Sequence, residues 1–547
     1  MRVNTIHERG LLTYRSFVAG TDLPADQFVH TVTTRSLLTD VFDSLTRKRN
    51  LDRGTADPAE AADVVVGRCA LAGEWEVEAA TAAAAAALPV WAATPLGTRL
   101  RLARGIRWRL RAGRQRFVDV LIAEGSPRVL AEWQVAGLVE FLGEDTLGWC
   151  FEQAWHERTR GPRRLILRRV PDGVVCVNPP QNAPATSAVH AVTALLAGNA
   201  VVLRAPRSAP LGVMYAMREF VVPALEEVGA PAGTLNVLCA RPGPTIAAWL
   251  ADERVATVFY TGGVERGLAL ERECVARGKK PVLELAGNDC VVVWREADLA
   301  YAAEALAECF LGSGQLCMAP NQVLVHPAVA DDLLARLVAL AGTIRPGYPE
   351  DRGTLLTPVL RSERFFEYVR DALGKGAAVV HGARRIEVDG SPSSTGMFIE
   401  PTVLRVAGLA GARDIDAVRE ETFFPLLPVI VPEPAPDGAL LDAMIDYLNS
   451  NPYGLRNSVW ARDPAVVDTL VRRVRTGGLL KVNDSHVGFL PLLPSLGGTG
   501  RTGGAFGEAN YPMLRCSRLQ GVSLGDGVGP AESVFGAYAR LAEEERP

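Results

Sequence analysis

Two side chains in this sequence are of types that could make and break bonds, and each sits in a setting that could hold it for that purpose. Cys317 lies in Gly312-Ser313-Gly314-Gln315-Leu316-Cys317-Met318-Ala319-Pro320. A helical pattern precedes it (Leu299, Ala303, Leu306, Phe310), and a β-branched run, 322–326, follows. The glycines let a ligand approach the backbone, and a thiolate there would be a nucleophile. The competing reading is an inert interior thiol. Glu284 stands in Leu283-Glu284-Leu285-Ala286-Gly287-Asn288. Burial without a cation raises a carboxyl pKa toward the range of a general base, whereas a pair with Lys279 or Lys280 would not. Gly262-Gly263, between a strand 255–260 and a helix 264–277, suits close approach of a cofactor to a helix N-terminus. Asn182 opens a helical stretch 185–196, where capping is the ordinary role of an asparagine.

Composition narrows the function classes. A chain of 547 residues exceeds one core and predicts two or three domains. With 48% hydrophobic and 22% charged residues and a net charge of −4, it reads as an ordinary soluble protein without a nucleic-acid footprint. Arg99, Arg101, Arg104, Arg107, Arg109, Arg111 and Arg114 alternate with apolar residues and read as a solvated helix face. The nine cysteines are scattered and never form CxxC, which predicts reduced thiols in the cytoplasm and neither disulfides nor zinc. The seven histidines are equally dispersed, so no metal site is expected. Residues 1–10 lack the apolar core of a signal peptide, and no window predicts a membrane span.

The elements that must position these residues follow from periodicity. Residues 1–60 read as a polar extension with one helix, 35–47. Residues 61–155 read as helical: 74–88, ending at Pro89, then 99–110, 116–124 and on to 153. Strands 164–169 and 174–177 around Pro171-Asp172-Gly173 predict a hairpin. Strands then alternate with helices to residue 285, which predicts a doubly wound parallel sheet binding ligands at its carboxyl ends. A second alternating block from 289 to 482 predicts a second α/β domain.

Taken together, these motifs resemble the aldehyde dehydrogenase superfamily over residues 61–524. Asn178-Pro179-Pro180-Gln181-Asn182 resembles its oxyanion-asparagine segment, and Leu195 through Arg204, with Pro210, its adenosine-ribose segment. Phe259-Tyr260-Thr261-Gly262-Gly263 is similar to its pyrophosphate turn. Leu283-Glu284-Leu285 resembles its general-base motif, Gly314-Gln315-Leu316-Cys317 its nucleophile motif, and Glu420-Glu421-Thr422-Phe423 its nicotinamide-ribose motif. Tyr453-Gly454-Leu455 matches the motif that follows. The resemblance implies an α/β fold with a cofactor-binding domain (61–157 and 172–282), an oligomerisation hairpin (158–171) and a catalytic domain (283–495). A return segment with an oligomerisation strand (496–524) and a polar tail (525–547) would complete it, giving a homodimer or homotetramer. It implies oxidation of an aldehyde through a Cys317 thiohemiacetal and thioester, with Asn182 and the Cys317 N–H holding the oxyanion. Glu284 would activate the hydrolytic water. Pro180, Gln181, Arg204, Arg207, Gly262, Gly263, Leu285, Glu421 and Phe423 would hold NAD or NADP. Ala183, Ser187, His190, Leu316 and Met318 would line the substrate tunnel.

The departures from the family pattern also carry expectations. Arg204 replaces the usual lysine, and Arg207 stands where NAD-preferring members carry an acid, which favours NADP through the 2′-phosphate. Gly263 replaces a serine, Phe424 a glycine, and Ala286-Gly287-Asn288 the usual Gly-Gly-Lys. Small and polar residues at Ala183, Ser187 and His190 predict a wide tunnel for a functionalised aldehyde, with His190 a satisfied interior histidine. A CoA-acylating enzyme and a non-catalytic binding protein on the same fold are the alternatives.

Overall fold

The computed structural model describes residues 6–8, 11–61, 63–493, 497–507, 512–525, 527 and 529–544. Two largely parallel sheets carry the site between them. In the first, Lys280–Leu285, Val255–Gly262, Val174–Asn178, Ala200–Ala205 and Leu235–Ala240 lie side by side in parallel. Strands buried on both faces by helices read as continuous apolar runs, which is why these segments are rich in Val, Leu and Ala. The chain leaves Val174–Asn178 toward Ala200–Ala205 on one side and later returns to Val255–Gly262 on the other. The crevice beyond Asn178 is therefore a topological switch point, where such sheets bind ligands.

The second sheet runs Ala378–His381, Thr402–Ala407, Leu426–Val431, Pro320–Val325, Asp289–Val293, Arg456–Trp460 and Leu479–Val482. All neighbours are parallel except the edge strand Ala378–His381. The chain passes from Glu284 at the end of the first sheet to Asp289 in the second within a few residues. Both α/β blocks expected from periodicity are thus present.

Several local expectations are corrected. Pro171-Asp172-Gly173 is not a hairpin turn. Arg163–Pro171 pairs with Trp155–Arg160 and Ser517–Gly525 in a separate antiparallel sheet, while Val174–Asn178 enters the parallel core. Residues 61–155 are not helical throughout, because Val65–Ala72 is a strand pairing with Leu11–Tyr14, Phe28–Val32 and Leu235–Ala240. The extension is therefore built into the first sheet. Its Arg35 also stacks 3.9 Å over Tyr348 and pairs with Glu350, tying it to the second block. The single helix expected there is two, Thr34–Thr39 and Val41–Asp52, split at Asp40, whose carboxylate accepts from the Asp43 N–H.

Leu96–Ala123 is one helix rather than two, and its Gly113 leaves room for the Phe220 ring, which a Cβ would meet at 2.8 Å. Glu74–Ala93 runs past Pro89. The expected polar tail contains a helix, Pro530–Glu544, with Val534, Phe535, Tyr538 and Leu541 exposed; Glu545, the end of the acidic run, lies outside the described residues. No single helix among the described residues is long and apolar enough to cross a membrane.

Candidate active site

Cys317 is placed by a turn that only small residues can make. Gly312, Ser313 and Gly314 have φ of 58°, 57° and 70° in succession. A Cβ on Gly314 would lie 2.1 Å from the Phe424 carbonyl oxygen. The turn is pinned where Ser313 Oγ donates to Thr357 O (2.6 Å) and accepts from Thr357 N (3.0 Å). Ala286-Gly287 passes on the other side, and a Cβ on Gly287 would approach Cys317 O to 2.7 Å. Cys317 is the one partly exposed cysteine; the other eight are buried and all nine are free.

Asn182 Nδ2 donates to Gln315 O (2.9 Å), which fixes the amide beside the backbone leading into Cys317. Glu284 is 7% exposed at the end of Lys280–Leu285. Neither neighbouring lysine pairs with it. Lys279 Nζ donates to Asp252 O and Val255 O, and Lys280 Nζ to Asp172 Oδ2. Burial pushes the Glu284 carboxyl up to about 7, opposed by Arg515 and Arg456. Burial, then Glu284 and Glu421, push the Cys317 thiol up, with Arg456 acting against them. Glu421 Oε1 accepts from Gly287 N (3.1 Å), and burial raises this carboxyl to about 8. Phe423 beside it holds a left-handed backbone, φ 59°.

A cleft of about 890 Å³ opens on this group. Pro180, Gln181, Asn182, Arg204, Gly262, Gly263, Glu284, Leu285, Cys317, Glu421 and Phe423 all line it, so the structure brings together every expected cofactor residue except Arg207. Gly263 precedes the helix Val264–Ala276 without a side-chain cap, and a Cβ there would meet nothing within 4 Å. The first-turn N–H groups are thus open to an anion, which fits the pyrophosphate of a dinucleotide. Arg204 is tied inward, its Nε donating to Asn178 Oδ1 (2.8 Å) and Nη1 to Ala240 O (3.0 Å). Arg207 is exposed and faces a separate cavity of about 520 Å³ with Arg53, Arg68 and Arg241, although Ser208 beside it lines the cleft. Arg241 and Arg266 were not singled out from the sequence, where isolated arginines carry no pattern.

On the opposite side of Cys317 lies a tunnel of about 80 Å³. It is lined by all five expected residues, Ala183, Ser187, His190, Leu316 and Met318, together with Asn182 and Glu284. Trp133, Phe489 and Arg456 are also on its wall, and sequence reasoning missed all three. The tunnel is narrower than expected because aromatic rings from distant segments fill it. His190 stacks on Phe489 (5.6 Å, 10°) and meets Phe141 edge-on (4.5 Å). It is not hydrogen-bonded as expected, for its Nε2 is buried without a partner. Burial lowers it to about 4, so it is neutral at physiological pH.

A thiol, an amide donor and a buried carboxylate of raised pKa line both the wide cleft and the narrow tunnel. That arrangement can add a nucleophile to a carbonyl and then hydrolyse the adduct. The family model that matches the chain is the aldehyde dehydrogenase family, over residues 50–515. The vanillin dehydrogenase of an Amycolatopsis species is 31% identical over 491 residues, covering 85% of this chain and 93% of that protein. An NAD-dependent aldehyde dehydrogenase from Sinorhizobium meliloti superposes with a TM-score of 0.78 at 22% identity, over 96% and 98% of the two chains. A glyceraldehyde-3-phosphate dehydrogenase from Methanocaldococcus jannaschii, complexed with NADP, gives 0.73 at 23%, over 84% and 97%. Matched over most of its length, the chain belongs to the aldehyde dehydrogenase family, whose general reaction is NAD(P)-dependent oxidation of aldehydes to acids.

Proposed function

We propose that this protein oxidises a functionalised aldehyde to its acid by the hydrolytic route, with Cys317 as nucleophile and Glu284 as base. The observation that carries this is the shared cavity wall of Cys317, Glu284 and Asn182, with Glu284 free of any lysine partner. Cys317 Sγ, as the thiolate, adds to the carbonyl carbon; the proton it loses leaves to solvent. The oxyanion is held by the Asn182 amide and the Cys317 N–H. A bound nicotinamide supplies the acceptor for the hydride that leaves the same carbon. Glu421, anchored by Gly287 N–H, and Phe423 would hold the ribose and ring in register. Glu284 then takes a proton from water, whose oxygen attacks the thioester and releases the acid and the Cys317 thiol.

NADP is favoured over NAD by charge: Arg207 and Arg241 stand just past the adjacent parallel strands Ala200–Ala205 and Leu235–Ala240, next to Ser208 and Pro242 of the cleft wall, though both face the neighbouring cavity. We infer a homodimer or homotetramer from the strand Trp155–Arg160, exposed at every position on the edge of the three-stranded sheet. Nine free thiols favour a reducing, cytoplasmic setting. The test is formation of reduced cofactor from an aldehyde panel with NAD⁺ and NADP⁺, beside Cys317→Ala. Turnover abolished in the variant supports the reading. Silence of the wild-type protein with both cofactors, while either binds, would point to a binding protein, and acyl-CoA formation in place of acid to a CoA-acylating enzyme.

A further inference from the structure

Arg456 is 3% exposed, yet it lines the tunnel with Cys317 and Glu284. Its backbone N–H donates to Asp289 Oδ1 (3.2 Å) and its Nη1 to His486 O (2.9 Å). His486 is itself held by Ser458 Oγ at Nδ1 (2.6 Å) and Asp289 Oδ2 at Nε2 (3.4 Å). The guanidinium is therefore fixed from behind by a buried network. Its Nε, also buried, has no hydrogen-bond partner, and no carboxylate among the described residues forms an ion pair with it. A buried charge left unpaired is costly, and a fold that keeps one has an unfilled electrostatic demand at that point. Among the described residues the only other basic side chain on the tunnel wall is His190, which is neutral.

Resting on the aldehyde-oxidising reading above, we propose that Arg456 determines specificity by binding a carboxylate carried by the substrate. The carbonyl end is already provided for by Asn182 and the Cys317 N–H, so Arg456 serves a second group. A planar carboxylate accepts from a guanidinium edge with two parallel hydrogen bonds. A flat group also suits a tunnel of about 80 Å³ with Trp133 and Phe489 on its wall better than a tetrahedral phosphate would. The substrate class is thus an aldehyde with a carboxylate on its other end or on its ring.

The experiment pairs 4-oxobutanoate with butanal, 5-oxopentanoate with pentanal and 4-formylbenzoate with benzaldehyde. In the wild-type protein at least one pair should favour the carboxylated partner in kcat/KM by roughly 10²–10³, the usual size of a buried charged contact. Arg456→Met should bring that ratio to about one, chiefly through KM, and Arg456→Lys should retain part of it. NADP⁺ binding by each variant confirms that it is folded. A wild-type ratio near one in every pair, or equal losses for charged and neutral partners, would overturn the proposal and leave Arg456 acting only on Cys317 and Glu284. Turnover of the neutral aldehydes tests the underlying reading separately. Binding to Cys317→Ala, by calorimetry, of whichever carboxylated aldehyde the wild-type protein favours needs no turnover. It should weaken at least tenfold on adding Arg456→Met, and an unchanged affinity would also overturn the proposal.

Discussion

Replacing Glu284 by glutamine keeps the shape of the strand end and removes only the ability to take a proton. The carboxyl is buried, pairs with neither nearby lysine and titrates at about 7. At that value about 10% is ionised at pH 6 and about 90% at pH 8, so hydrolysis should rise through this window in the wild-type protein. The sign is that of a raised carboxyl, whose base form appears only as pH rises through the shifted value. Removing a general base typically costs roughly 10²–10⁴ in the step it serves. The assay is rapid-mixing measurement of reduced cofactor across pH 5.5–9, about the range a base near pH 7 would report. In Glu284→Gln, a burst of about one equivalent should remain while steady-state turnover falls 10²-fold or more and loses its rise near pH 7. Loss of the burst itself would refute the reasoning, since Glu284 would then serve thiol attack rather than hydrolysis. So would an unchanged pH profile with near-normal turnover.

Asn182→Ala should lower kcat/KM by roughly 10²–10³, the cost of one oxyanion donor, with NADP⁺ affinity intact; a merely capping asparagine would change stability alone. Gly314→Ala forces a Cβ to within 2.1 Å of Phe424 O at φ 70°, so denaturant unfolding should show a loss of roughly 2–4 kcal/mol, and near-wild-type stability would contradict the turn geometry. Arg207→Glu combined with Arg241→Ala should shift the NADP⁺/NAD⁺ ratio of kcat/KM toward NAD⁺ by at least about tenfold, whereas an unchanged ratio would place the 2′-phosphate elsewhere. Iodoacetamide should label Cys317 before any other thiol, because the remaining eight are buried, and uniform slow labelling would argue against a nucleophile.

The sequence alone determined the parts of this protein that are local. A glycine-flanked cysteine, a carboxylate ending an apolar strand and an uncapped Gly-Gly helix start each depend on neighbours in the chain. Turn geometry and strand–helix periodicity reveal them, and the motif order reveals the family. Tertiary structure decided what depends on partners distant in sequence. Val65–Ala72 is a strand because Leu11–Tyr14 and Phe28–Val32 pair with it, and its own residues show no alternation that says so. Val174–Asn178 abandons the hairpin its turn residues suggest because the parallel core offers burial on both faces. Arg456 follows a recognisable Tyr453-Gly454-Leu455 motif, yet only the packing of Asp289 and His486 behind it turns a charged strand residue into a tunnel wall. His190 is neutral because Phe141 and Phe489, far apart in the sequence, pack against it, and the tunnel is narrow because Trp133 and Phe489 both form its wall. Burial is a property of the assembled fold, and with it go the pKa of Glu284 and the unpartnered Nε of Arg456.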